Sequence, residues 1–152
     1  MDDVQAMRRT IAIARESYHR GDLPYASIVM RGDEILAEGW NEVLTSMDNS
    51  AHAEIVALRH ATQRLGHLDL SDCVLYASSE PCVMCSAAIR ASGIKRVVFS
   101  VPNAQFGGYS SRYPVLTDRT ITRFGVAPDV TPSFLREEGQ KNLDDIGWKP
   151  SE

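Results

Sequence analysis

Val4, Met7, Ile11 and Tyr18 share one helical face, so the chain is expected to open on an amphipathic helix ending near Gly21. The period then shortens. Tyr25 to Met30 and Ile35 to Gly39 read as two strands of a hairpin around the turn Arg31-Gly32-Asp33-Glu34. Ile55, Leu58, Thr62 and Leu65 return to helical spacing and predict a helix over 51–65 that opens at His52 with Ser50 as its N-cap. A strand from Cys73 to Ala77 follows, then a helix from about Cys82 to Ser92 with Pro81 at its threshold and Gly93 just past its end, then a strand from Lys95 to Phe99. Ile121 to Val126 is the expected further strand, and Thr131 to about Leu143 reads as a terminal helix. The stretch from Ser100 to Thr120, rich in Pro, Gly and Ser, is a long connection of the kind that more often carries function than idles.

This alternation favours a sheet covered by helices. At 152 residues, with neither an internal repeat nor a linker, the chain is expected to form a single domain over 1–152. Its 43% hydrophobic and 24% charged residues are ordinary for a folded protein, and a net charge of -4 offers no general attraction to nucleic acid or anionic membrane. The start Met1-Asp2-Asp3 has no leader pattern and no run reaches membrane-spanning length, so a cytoplasmic setting without membrane contact is expected. Three cysteines do not suggest a disulfide framework.

Chemistry concentrates at the two helix starts. His52-Ala53-Glu54 precedes Pro81-Cys82-Val83-Met84-Cys85 by about thirty residues, bringing one imidazole, two thiols and one carboxylate. Zinc held by His52, Cys82 and Cys85 would keep a fourth position for water and lower that water's pKa from about 15.7 towards about 7. A helix N-terminus favours thiolate over thiol, the form zinc requires. A closed structural site would need a fourth protein ligand. Cys73 lies in an apolar strand pattern, while His19, His60 and His67 read as solvated positions. Glu54, which the metal does not need, is suited to proton transfer.

These residues form the H-x-E…P-C-x-x-C signature known for zinc deaminases, and the chain resembles the cytidine deaminase superfamily over about 24–106, in the branch of cytosine, guanine and tRNA adenosine deaminases. The resemblance implies a three-layer α/β/α fold with a five-stranded mixed sheet, a homodimer, and one Zn2+ per chain on His52, Cys82 and Cys85. It implies Glu54 as the proton shuttle and Asn41, Ala53, Phe106 and Asp145 as substrate contacts.

Substrate markers point in two directions. His52-Ala53-Glu54 and Glu80-Pro81-Cys82 look like the guanine and tRNA adenosine enzymes, whereas Leu143-Asp144-Asp145-Ile146-Gly147 is similar to the fungal cytosine deaminase tail. In that tail an aspartate matching Asp145 contacts the base; Asn142 stands at the matching aromatic position here, with Trp148 beyond. Pro24-Tyr25-Ala26-Ser27 departs from the usual Pro-x-Gly-Ala, placing a methyl that could reshape the base pocket. Gly107-Gly108-Tyr109-Ser110-Ser111 matches no marker. Residues 133–152 carry three basic and five acidic side chains, a net of -2, which opposes RNA. The expectation is therefore a hydrolytic deaminase of a free nucleobase or related small amino-heterocycle, cytosine ahead of guanine, with nucleic acid not a partner. The alternatives are a tRNA-specific adenosine deaminase acting on an anticodon base and a non-catalytic zinc-stabilised partner subunit. Glu54 counts against the latter.

Overall fold

The computed structural model describes residues 1–149. Its elements run α1 (Asp3–His19), β1 (Ala26–Arg31), β2 (Glu34–Trp40), α2 (Val43–Ser46), α3 (Ala53–Leu65), β3 (Cys73–Ser79), α4 (Val83–Ala91), β4 (Arg96–Val101), β5 (Asp129–Thr131) and α5 (Arg136–Asp145). The strands form one mixed sheet in the order β2-β1-β3-β4-β5, in which β1 pairs antiparallel with β2 and β3 while β3, β4 and β5 run parallel.

Alternation along the strands creates the three layers. Val29, Leu75, Ala77, Val97 and Phe99 meet Ala57, Leu58, Ala61 and Ile89 of α3 and α4. Ile28, Met30, Tyr76 and Val98 meet Ala6, Met7, Ile13 and Ala14 of α1 on the other face, where α5 also packs against α1 and β4. Ala26 belongs to this second core and is fully buried. Its methyl therefore fills the α1 layer rather than reshaping a base pocket. Gly39 allows β2 to approach the start of α3, because a Cβ there would lie 2.5 Å from the Ala53 carbonyl oxygen.

The structure corrects three sequence expectations. Ser50 does not cap α3: its hydroxyl donates to Asp48 Oδ1 at 2.7 Å, and His52 occupies the N-cap position. The terminal helix starts at Arg136 rather than Thr131, because Thr131 lies in β5 and Phe134 N still donates to Phe99 O at 2.9 Å beside β4. The segment 121–126 is not a strand, and the fifth strand is Asp129–Thr131.

Arg90 explains that last difference. It is 2% exposed, and its guanidinium donates to the carbonyls of Val115, Asp118, Ile121 and Gly125 at 2.6–2.8 Å. These bonds fold 115–125 around a buried cation instead of into a ladder. Arg90→Met should leave all four carbonyls without that donor and lower stability by about 3 kcal/mol or more, equivalent to roughly 6–12 °C in Tm for a chain of this size. Calorimetry checks this; an unchanged Tm would show that the clamp contributes nothing. Among the described residues no helix is long and apolar enough to cross a membrane.

Candidate active site

α3 and α4 begin beside one another, beyond the carboxyl ends of the parallel strands β3 and β4, where open α/β sheets commonly form their ligand crevice. His52 is the N-cap of α3 and Cys82 the N-cap of α4, yet neither side chain caps its own helix. They turn towards each other. The Sγ atoms of Cys82 and Cys85 each lie 3.5 Å from His52 Nδ1, and all three ligand atoms fall within 4.8 Å of one another. Tetrahedral coordination with Zn–N near 2.0 Å and Zn–S near 2.3 Å separates such atoms by about 3.6 Å. The donor set therefore fits zinc in chemistry and in spacing. Cys85 is buried, whereas His52 and Cys82 are half-buried and line the cleft. Cys73, the remaining cysteine, is core, its thiol pushed up to about 12 by burial and the neighbouring Asp72.

The thiols already polarise one another. Cys82 is drawn down to about 4, chiefly by a hydrogen bond from the Cys85 thiol and further by His52, against the cost of burial. Cys85 moves the opposite way, because a thiolate beside it and burial both disfavour a second negative charge. His52 is raised by its bond to Cys82. Glu54, on the first turn of α3, is 6% exposed and faces the same cleft. Burial, followed by the Cys82 thiolate, pushes its carboxyl up to about 7.

The cleft encloses about 960 Å3 and has mainly apolar walls. It brings together Asn41, Ala53, Glu54 and Phe106 from the expected set. Asn41 is buried and its Oδ1 accepts from Val43 N at 3.0 Å, so its Nδ2 is the group left to offer a ligand. Phe106 is 55% exposed at the rim. Asp145 is not brought in. It lies at the end of α5, bonded to Lys141 Nζ at 2.8 Å and 3.9 Å from Arg15, outside the cleft lining. Helical phase is the reason: the buried side of α5 is Gly139, Asn142 and Leu143, and Leu143 rather than Asp145 reaches the cleft.

Sequence reasoning missed two features of the walls. Trp148, beyond α5, donates from Nε1 to the Tyr25 hydroxyl at 3.1 Å, with the rings 6.1 Å apart and nearly perpendicular. Tyr25 in turn lines the cleft. No local signal links two residues so far apart in the chain. Glu80 also lines it and binds the loop after β4; its place directly before Pro81-Cys82 was the available clue.

The model of the cytidine and deoxycytidylate deaminase zinc-binding region matches residues 1–101. The tRNA-specific adenosine deaminase of Haemophilus influenzae is 32% identical over 142 residues, spanning 93% of this chain and 80% of that protein. The guanine deaminase of Bacillus subtilis is 40% identical over 95 residues, 62% of this chain and 61% of that one. A solved structure from work on A-to-I editing by tRNA:A34 deaminases at the wobble position of transfer RNA superposes with a TM-score of 0.85 at 28% identity, covering 92% of this chain and 99% of that one. The His52–Cys82–Cys85 cluster lies within the matched region, on a sheet and helix order shared with solved deaminases, and the chain belongs to the zinc-binding deaminases of the cytidine deaminase superfamily.

Proposed function

We propose that this protein hydrolytically deaminates a purine-type ring, exchanging an exocyclic amino group for a carbonyl, and that a free base is its substrate. The relatives described above are named for adenosine in tRNA and for guanine, both purines, so a purine ring replaces cytosine as the favoured substrate. The observation that carries the free-base reading is the cleft wall: among the described residues no lysine or arginine lines it, while Leu23, Val83, Val101 and Leu143 do. Such a surface suits a flat uncharged ring and offers nothing to a phosphate.

His52, Cys82 and Cys85 would hold a zinc ion, which would supply Lewis-acid activation of water and bring its pKa towards neutrality. Glu54 accepts a proton as water adds to the ring carbon bearing the amino group. It delivers that proton to the adjacent ring nitrogen, then takes the proton of the newly added hydroxyl and passes it to the departing amine. The C–N bond breaks, ammonia leaves and the carbonyl remains. Glu54 is buried beside the ligand cluster, where it can take up a proton and give it back without exchange with bulk water. Asn41 orients the ring through Nδ2, the Ala53 backbone borders it, and Phe106 stands at its open edge. The homodimer that the family resemblance implies belongs to this same reading.

A second reading, deamination of an adenosine in tRNA, has the stronger support from the relatives: the Haemophilus protein aligns over 93% of the chain and the tRNA:A34 deaminase structure covers 92% of it. The volume of about 960 Å3, open where Phe106 and Tyr113 are each more than half exposed, also leaves room beyond a single base. Ammonia release from guanine, adenine, 2,6-diaminopurine and cytosine, run beside inosine formation in tRNA bearing adenosine at the wobble position, separates the two. Turnover of a purine base with tRNA inert is expected. Efficient conversion of tRNA with every free base inert would replace the first reading by the second.

A further inference from the structure

Gly107-Gly108-Tyr109-Ser110, the motif that matched no marker, is folded around one carboxylate. Glu80 is 4% exposed. Its Oε1 accepts from Asn103 N at 3.2 Å and from the Ser110 hydroxyl at 2.5 Å, while Oε2 accepts from Tyr109 N at 3.0 Å and Ser110 N at 2.9 Å. Four donors from one loop thus converge on a buried charge. The two glycines are required by that closeness: a Cβ on Gly107 would overlap the Glu80 carboxylate, and one on Gly108 would overlap Ser86 Oγ.

The same loop is tied to a zinc ligand. Gly107 bridges to Cys82, Gly108 N donates to Pro81 O at 2.8 Å, and Val83 N donates to Phe106 O at 3.2 Å. Phe106 N is held by Asn103 Oδ1 at 3.1 Å. The Phe106 side chain is 55% exposed, so packing does little to fix this wall. Its backbone position depends on the loop, and the loop is gathered on Glu80.

We propose that Glu80 is a positioning residue for substrate size: by holding the 103–110 loop against Cys82 it sets where Phe106 stands, and so how large a substituent on the ring the cleft admits. This rests on the deaminase reading above. Without four accepting sites at this point the loop relaxes away from Cys82, and the Phe106 wall retreats from the bound ring. Glu54 stands on α3, outside this loop, so proton transfer is less affected than ring binding. Selectivity changes through KM rather than through kcat.

The test compares a purine base with its nucleoside, which adds a ribosyl group at the same ring. In zinc-loaded Glu80→Gln, the preference for base over nucleoside should fall by about tenfold or more, a change expected when charge-assisted hydrogen bonds are lost, and it should fall mainly in KM. Glu80→Asp should recover part of it. Exchange of the Tyr109 and Ser110 amides should quicken. Phe106→Ala should produce the same loss of preference, with no further loss when Glu80→Gln is added, because one residue acts through the other. Ser110→Ala, which removes a single donor, should shift the preference in the same direction by less, and it serves if Glu80→Gln fails to fold. An unchanged preference despite faster amide exchange, or additive effects of Glu80→Gln and Phe106→Ala, overturns the proposal. If the wild type deaminates neither compound, the free-base reading fails. The same preference is then read from calorimetric Kd values for base and nucleoside, and absence of binding by both also overturns the proposal.

Discussion

Glu54→Gln is expected to keep its zinc and its fold while losing about 100-fold to 10,000-fold in turnover, the usual contribution of a positioned general acid–base. That loss corresponds to roughly 2.7–5.5 kcal/mol of transition-state stabilisation. Glu54 sits two residues beyond His52, inside the cleft and outside the ligand cluster, so the amide removes proton transfer without removing a metal ligand. The substitution preserves shape and hydrogen-bonding reach. Stability should be unchanged or slightly raised, because burial already disfavours the charge that the carboxylate would carry. Metal analysis, Tm and steady-state rates on one preparation decide the matter. Near-normal turnover in a zinc-replete mutant would show that another group moves the proton.

A larger effect is expected from the metal site itself. Purified protein should carry about one zinc per chain, as a three-ligand catalytic site requires, and His52→Ala or Cys85→Ala should reduce both zinc and turnover to background. With either change only two of the three protein donors remain. The two variants differ in what else they disturb: Cys85 is fully buried, so its truncation also opens space in the packed layer of α4, whereas His52 is half-buried at the edge of the cleft. His52→Ala is therefore the cleaner test of coordination, and agreement between the two excludes a packing artefact. Full zinc occupancy in both would remove the site assignment.

The contrast between these predictions and the Glu80 proposal lies in distance from the chemistry. In the proposed mechanism Glu54 and the ligands act at the reacting atoms, and their loss should appear in kcat. Glu80 acts through Phe106 and should appear in KM. The relatives sharpen the same point, since proteins named for adenosine in tRNA and for guanine both match this chain. Walls that hold a ring without adding charge are a natural place for that choice to be made.

What the sequence determined by itself was local. Spacing at three and four residues placed α1 and α3, Pro81 and Gly93 bounded α4, strand-type runs and the turn at 31–34 placed β1 to β4, and the short motifs His52-Ala53-Glu54 and Cys82-Val83-Met84-Cys85 marked the ligands and the carboxylate because each lies within one helical turn. Such patterns are readable since one-sided burial and helix starts leave their trace in neighbouring residues. Tertiary structure alone decided which backbone and side-chain groups meet across the chain. The segment 121–126 looked like a strand until Arg90 drew its carbonyls away from the sheet. Asp145 was the substrate contact expected from the tail motif, whereas the phase of α5 places Leu143 rather than Asp145 in the cleft lining. Glu80 and Trp148 bear on the cleft through partners 23–30 and 123 residues away, respectively. A hydrogen-bond partner that distant leaves no period in the sequence, because its choice depends on how the layers dock rather than on what stands beside it.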